Sequence, residues 1–337
     1  MHNLNSQTLN GKTIVITGTS SGAGRAAALK FAEQQVNLVL AARNETALNE
    51  VKAECENLGA KVLVVPTDTS DAKAVISLAN AANDWQGRVD IWINNAGVLA
   101  AGDFDKTPMA VHEQVIKTNL LGYMNGAHAV LPIFKAQGAG ILINNISIGG
   151  FLPVPYGAGY TAAKFGLRGW SEALKGELAA WPDIHVCDLF PAFLDTPGIQ
   201  HAGNNTGKVL KPAPPVYDPD RLAEAMVAVA QNPKANRYVG SASLLLKLSH
   251  AVFPEFTTKI TGFVIRRYLK NAEPIALTDG NVFNTVDFGM STHGGFGLPG
   301  KPKAYRKYLA AALLTGLAAG FYLIKYTHVD DQHTPSK

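Results

Sequence analysis

Cysteine is almost missing: Cys55 and Cys187 are the only two in 337 residues. Two are too few for a disulfide framework and lack the spacing of a metal site, so both read as buried thiols in a reducing compartment. The nine histidines form no His-Glu-x-x-His or comparable pairing, and no metal is expected. Charge is scarce as well. Charged residues make up 17% of the chain and the net charge is +4, and the basic residues are scattered rather than gathered in a block interleaved with aromatics. A nucleic-acid partner is therefore not expected. The opening "MHNLNSQTLNGK" has no apolar stretch of the kind a secretion signal needs. No internal repeat recurs at a fixed period.

What is abundant is hydrophobic surface, 47% of residues, ample for a core at this length. Short apolar runs rich in β-formers alternate with helix-length segments. "KTIVITG" precedes 24–34, "VNLVLAA" precedes 44–58, "AKVLVVPTD" precedes 70–84, and "VDIWINNAG" precedes a helical stretch over 109–137. "GILINNIS" then leads to a helix ending near Trp181, followed by "IHVCDLFP", a helix over 219–231 and a short strand at "NRYVG". Apolar strands between helices predict an α/β fold, a doubly wound parallel sheet of the Rossmann type with helices on both faces. This places a catalytic domain at 1–240. Within it, the Gly/Asn/Pro-rich loop from Phe193 to Tyr217 is long enough to be a lid. Residues 241–300 read as an amphipathic, irregular extension near the substrate site, its stretch from "TDGNVF" onward an extended linker.

Residues 301–337 carry a basic linker and an uncharged apolar run, "YLAAALLTGLAAGFYLI" at 308–324, with a Gly316-x-x-x-Gly320 pair. Such a run is at the short limit for a membrane-spanning helix; the rival reading is a helix buried in a dimer interface. The tyrosines at both ends and the basic cluster before the run favour a membrane anchor. The expectation is a membrane-associated protein whose catalytic part faces the cytoplasm, with a soluble cytoplasmic protein as the alternative.

Three features carry chemistry. After the first strand, "TGTSSGAG" sets Gly18, Ser20, Ser21, Gly22 and Gly24 in a turn that opens a helix. Glycines there let backbone N–H groups and the helix dipole approach a pyrophosphate, although the spacing is not that of the usual dinucleotide fingerprint and a turn merely needing small residues is the plainer reading. At the end of the second strand, "LVLAARN" offers Arg43 and no carboxylate, which favours the 2′-phosphate of NADP over the ribose hydroxyl of NAD. Finally, Tyr160 and Lys164 stand four residues apart, on one helical face. An ordinary surface contact would explain them. So would catalysis, since a phenol titrating near pH 10 is expected to ionise more readily beside an ammonium.

Read together, these residues resemble the short-chain dehydrogenase/reductase family. The resemblance covers about 11–240 and rests on "TGTSSGAG", "NNAG" (Asn94 to Gly97), Asn119 in "KTNLLG", Ser147 in "NISIG", and Tyr160-x-x-x-Lys164, with thirteen residues from Ser147 to Tyr160. It implies that Asp68 sits by the adenine and that Asn95, Ala96 and Gly97 support the strand beside the coenzyme. It further implies that Asn119 holds a water in a relay to Lys164, Ser147 positions the substrate oxygen, and Tyr160 exchanges the proton. Lys164 would also hold the nicotinamide ribose. The family's Pro-Gly after the sixth strand is here Pro191-Ala192, in "PAFLDTPG", and Thr196 is the candidate contact to the nicotinamide carboxamide. Beyond Ser241 the chain is similar only to longer members. The expected function is NADP(H)-dependent hydride transfer with a hydrophobic carbonyl or alcohol substrate, in a homo-oligomer. The rival is a catalytically idle NADP-binding sensor or scaffold.

Overall fold

Alternation along the strands divides the core into two halves. In β1 (Thr13–Thr17), Ile14 and Ile16 pack toward one side and Val15 toward the other, as successive side chains in a strand must. The computed structural model describes residues 8–296, which lie within one compact unit. Its further strands are β2 (Asn37–Ala41), β3 (Lys61–Val64), β4 (Ile91–Asn94), β5 (Ala100–Ala101), β6 (Gly140–Asn145), β7 (Ile184–Pro191), β8 (Gly203–Asn204) and β9 (Asn236–Val239). Seven of them form a parallel sheet in the order β3-β2-β1-β4-β6-β7-β9. Parallel neighbours need crossovers, and the intervening segments supply helices.

The helices are α1 (Gly22–Ala32), α2 (Glu45–Asn57), α3 (Ala72–Gln86), α4 (Met109–Ile116), α5 (Gly122–Gln137), α6 (Ala158–Glu177) and α7 (Asp220–Gln231). Residues of α1, α2 and α7 pack with Ile14, Leu38, Ile93 and Leu189 on one face, and residues of α3, α5 and α6 with Val15, Val39, Trp92 and Leu142 on the other. The doubly wound parallel sheet with helices on both faces, expected from the sequence, is observed. Each fully buried Ile or Leu contributes about 1.5–3 kcal/mol. The expected helix over 109–137 is present but interrupted by a π-helical turn, Lys117–Leu121, that contains Asn119; such turns concentrate at functional sites.

A polar ladder crosses the middle of this apolar sheet. Asn94, Asn144 and Asp188 are register partners on β4, β6 and β7, and all three are buried. Asn94 Nδ2 donates to Asn144 Oδ1 at 3.0 Å, and Asn144 Nδ2 donates to Asp188 Oδ1 at 3.1 Å. Ser171 Oγ and Lys175 Nζ, from α6, also donate to Asp188, at 2.8 and 2.6 Å. The ladder fixes the register of the strands that carry the site and ties them to α6, the helix bearing Tyr160.

The chain leaves β1 for β2 and β3 on one side and returns to β4 on the other. That reversal opens a crevice at the carboxyl ends of β1 and β4, where ligands of such sheets bind.

Two parts differ from the sequence expectation. The loop from Phe193 to Tyr217 is held: β8 pairs with β5 in a small parallel sheet, and bridges join Asn204 to Thr278 and Lys208 to Pro274. The segment after Ser241 begins with two regular helices, α8 (Ser241–Val252) and α9 (Pro254–Asn271). Gly240, at φ +89°, turns the chain into α8 against the Tyr217 ring, where a Cβ would lie 2.9 Å from a ring carbon. Beyond α9, residues 272–296 do not behave as a linker but fold back over the crevice. The apolar run at 308–324 lies outside the described residues. Among the described residues, no helix is long and apolar enough to cross a membrane.

Candidate functional site

The crevice holds a cavity of about 410 Å³. Of the residues singled out in the sequence, Gly18, Ser20, Ser21, Gly22, Arg43, Asp68, Asn95, Ala96, Gly97, Asn119, Ser147, Tyr160, Lys164, Pro191 and Thr196 all line it. Gly24 does not. It lies beneath the turn, where a Cβ would come within 2.0 Å of the Gly18 carbonyl oxygen. Gly18 has φ +72° and sits against Ala96, whose Cα a Cβ would approach to 2.6 Å. Both glycines therefore permit close backbone packing.

The first turn of α1 borders the cavity. Its N-cap, Ser21, makes no side-chain capping bond, and the first turn has no acidic residue. Ser20, Ser21, Gly22 and Ala23 border the cavity, so the positive end of the helix dipole faces it uncompensated by a carboxylate. That is the environment a dinucleotide's pyrophosphate requires. Asn95 braces the turn: its Nδ2 donates to the Thr17 carbonyl at 3.0 Å and its Oδ1 accepts from Asn145 Nδ2 at 2.9 Å. Asp68 caps its own loop, accepting from the Ser70 amide and hydroxyl at 2.8 and 2.7 Å.

At the opposite end, β6 and α6 bring Ser147, Tyr160 and Lys164 together. Ser147 has φ +97°, a strained conformation for a residue with a Cβ. Its Oγ accepts from the Gly149 amide at 3.1 Å and hydrogen-bonds the Tyr160 phenol. Tyr160 packs against a small apolar cluster of Val98, Ala100, Val111, Val115 and Val282. Lys164 Nζ donates to the Asn145 carbonyl at 3.1 Å and lies 4.9 Å from the Tyr123 ring centre and 5.8 Å from that of Tyr160. Asn145, which holds both the turn and the lysine, has no signature in the sequence beyond its place before Ile146 and Ser147. Asn119 clamps Val98, accepting from its amide at 2.8 Å and donating to its carbonyl at 2.7 Å. Its side chain is thus committed to the backbone at both ends. Tyr156 is not part of the cavity wall; it turns the chain at φ +66° and its carbonyl accepts from the Gly102 amide.

The electrostatics correct one expectation. Burial pushes the Tyr160 phenol up, and the Ser147 hydrogen bond draws it partly down. Burial also pushes Lys164 down to about 7. The desolvation that surrounds the pair thus outweighs the attraction expected from the four-residue spacing, because an ammonium that loses its own charge near neutrality has less to offer a phenol. Tyr160 keeps its proton at neutral pH, the state a general acid needs.

The same shift gives a pH-dependent stability. Unfolded, Lys164 stays protonated up to its ordinary value of 10.5, whereas folded it releases its proton near 7. Between those values unfolding takes up a proton, so raising the pH favours the folded state. The slope reaches about 1 kcal/mol per pH unit. Denaturant melts between pH 7 and 9 should show Lys164→Met losing that part of the rise; parallel slopes for the variant and the parent would remove the claim.

The extension completes the site. Arg43 donates from its two terminal nitrogens to the carbonyls of Phe283 and Asn281, at 3.0 and 2.5 Å, and burial lowers its pKa while Asp68 opposes the shift. The Gly22 amide donates to Ser291 O at 2.9 Å, and Arg25 donates to Met290 O. His201 Nε2 lies 2.9 Å from Phe288 O, and Asp195 Oδ1 accepts from the Phe296 amide at 2.7 Å. None of this coverage has a hydrophobic period, so periodicity could not reveal it. Ala192 stands where the family has glycine and is outside the left-handed region, so a Cβ is tolerated there.

Residues 12–206 match the family model described as short chain dehydrogenase. Over 322 residues the chain is 30% identical to an uncharacterized oxidoreductase, YxnA, of Bacillus subtilis, covering 92% of this chain and 90% of that protein. It is 29% identical to mouse estradiol 17-beta-dehydrogenase 11, over 73% of this chain and 80% of that one. Among solved structures, an alcohol dehydrogenase from the archaeon Thermococcus sibiricus complexed with 5-hydroxy-NADP is similar at a TM-score of 0.61 and 27% identity. That match covers 69% of this chain and 98% of the other. A metagenomic short-chain oxidoreductase in complex with NADP gives a TM-score of 0.59 at 27% identity, with the same shares covered.

Proposed function

The chain belongs to the short-chain dehydrogenase family and is an oxidoreductase of that family, and from this we propose that it transfers hydride between NADP(H) and a hydrophobic carbonyl or alcohol, with Tyr160 as general acid and base. The observation that carries the proposal is the convergence of Ser147, Tyr160 and Lys164 in the cavity that the N-terminal turn of α1 also borders. Bound in that cavity, the nicotinamide coenzyme would supply the hydride. The protein's part is position and proton. Ser147 orients the substrate oxygen beside the phenol, and Tyr160 gives that oxygen a proton in reduction and takes it back in oxidation. Lys164, held by the Asn145 carbonyl, supplies the adjacent donor for ribose hydroxyls, while Asn119 steadies the Val98 backbone under the cavity and links the site to the π-turn. Thr196, whose Cβ lies 3.1 Å from where a Gly22 Cβ would be, and Pro191 close the wall on the nicotinamide side.

NADP rather than NAD follows from Arg43 at the end of β2, with no carboxylate in "LVLAARN"; the two similar solved structures carry NADP or a hydroxylated form of it. Arg43→Asp is expected to weaken NADPH binding by at least about tenfold, the scale of one lost charge-assisted contact, and NADH binding far less. Equal losses in coenzyme fluorescence titrations would remove the phosphate contact.

A hydrophobic substrate follows from Ile148, Leu152, Val154, Phe193 and Ile199 on the cavity wall. Membrane association belongs to the same proposal: the run at 308–324 would anchor the chain. Exposed Leu248, Phe256, Ile260 and Phe263 on α8 and α9, flanked in sequence by Lys259, Arg266 and Lys270, suit an interface as well. Sedimentation with anionic vesicles should carry down the full chain more than a chain ending at residue 300. Equal recovery in the supernatant would remove the anchor.

A further inference from the structure

Asn281 lies far outside the segment that matches the family, yet its position points to a contact with the coenzyme. Its backbone carbonyl accepts from Arg43, its amide donates to the His201 carbonyl at 2.8 Å, and the residue lines the cavity that Arg43 and Asp68 also line. The side-chain oxygen, Oδ1, is buried and has no hydrogen-bond partner. A buried acceptor without a donor costs stability unless something fills it. The residue that carries it lines the coenzyme cavity.

The neighbouring residues make this a built feature rather than a passing loop. Val282 is fully buried in the same apolar cluster as Val98, Val111 and Val115, against which Tyr160 packs. Gly280, at φ +52°, passes so close to the 193–217 loop that a Cβ would lie 2.2 Å from His201 O. The segment is therefore pinned on both sides of Asn281, by a glycine that cannot acquire a side chain without moving and by a valine buried in the core. Phe283 O then takes the second Arg43 nitrogen. Two carbonyls thus fix the plane of a guanidinium that would otherwise rotate, and leave its remaining N–H groups for an anion.

We propose that residues 280–283 form a coenzyme-binding element in which the Asn281 side chain accepts a hydrogen bond from the adenosine half, its adenine amino group or a ribose hydroxyl, while the Asn281 and Phe283 carbonyls hold Arg43 for the 2′-phosphate. This rests on the reading of the cavity as an NADP site and adds a specificity determinant from the extension. Orienting Arg43 in advance lowers the cost of ordering it on binding.

The test is coenzyme titration of the full chain, followed by fluorescence, with NADPH and NADH. Asn281→Ala should weaken both coenzymes by about threefold to tenfold, the value of one hydrogen bond, without lowering the thermal midpoint of the coenzyme-free protein. Gly280→Val, which must displace the segment from His201, should reduce the preference for NADPH over NADH by about tenfold or more. NADPH should also protect the 280–283 segment of the parent protein from proteolysis. Unchanged NADPH and NADH affinities in Asn281→Ala overturn the side-chain contact, even if Gly280→Val does not fold. An unchanged preference in a folded Gly280→Val overturns the Arg43 seat. If the parent protein binds neither coenzyme, the underlying NADP reading fails; if it binds NADPH and Arg43→Asp weakens it while these two variants do not, only this inference fails.

Discussion

Tyr160→Phe should lower turnover by about a thousandfold while leaving NADPH affinity within about threefold of the parent. The substitution removes one oxygen and retains the ring, so the contact with the cluster of Val98, Val111 and Val282 survives and the fold has no reason to change. What is lost is the proton donor. General acid–base groups are worth about 10²–10⁴ in rate, and a thousandfold loss corresponds to about 4 kcal/mol of transition-state stabilisation. Because burial raises the phenol's pKa, reduction should hold its rate across neutral pH and decline only where the phenol ionises, whereas oxidation should gain with rising pH. Ser147→Ala, which deletes the one hydrogen bond that opposes that shift, should slow oxidation more than reduction. Steady-state rates with a reducible ketone decide the matter. A variant that keeps more than about a tenth of the parent's turnover would leave Tyr160 without a chemical role.

The largest expected effect on stability is at Asp188, on the polar ladder rather than in the apolar core. Its carboxylate is buried and accepts from Lys175, Ser171 and Asn144. Asp188→Ala leaves the buried Ser171 and Asn144 donors without this acceptor and the Lys175 ammonium without its carboxylate, with only the neutral Ala235 carbonyl and Asn236 Oδ1 to accept from it. Removing one partner of such a buried pair typically costs about 3–5 kcal/mol. In a chain of this size that lowers the melting midpoint by roughly 4–7 °C. Ser171→Ala removes a single neutral donor and should cost only about 1 kcal/mol. Differential scanning calorimetry of the two variants tests the ladder directly; a midpoint within about 2 °C of the parent for Asp188→Ala would show that the carboxylate is dispensable. The effect would reach function as well, since β6, β7 and α6 carry Asn145, Ser147, Tyr160 and Lys164.

The parallel sheet was legible because β1, β2, β3, β4, β6 and β7 are short, apolar and separated by helical periods, and because a sheet buried on both faces needs little else. "IHVCDLFP" corresponds residue for residue to β7. The cavity wall was legible through side chains whose spacing has a chemical reason, Tyr160 and Lys164 above all. Three things were hidden. The π-turn at Asn119 leaves no mark in a helical period. The balance of forces at Tyr160 depends on how deeply both groups are buried, which spacing cannot report, so spacing alone overstates the attraction from Lys164. The fold-back of 272–296 is held by backbone carbonyls of Asn281, Phe283, Met290 and Ser291, and a carbonyl is present at every residue. Only Gly280, Gly289 and Gly295, all at positive φ, hint from the sequence that this stretch turns tightly.

The central claim is that this cavity transfers hydride to carbon while Tyr160 handles the proton. Its most direct test is to incubate the protein with NADPH deuterated at the transferable position of the nicotinamide and a panel of hydrophobic ketones, then analyse the alcohols by mass spectrometry. The account requires one deuterium on the carbinol carbon of the product from the parent protein and almost no labelled alcohol from Tyr160→Phe. Alcohol formed without label, or labelled equally by both proteins, would contradict it.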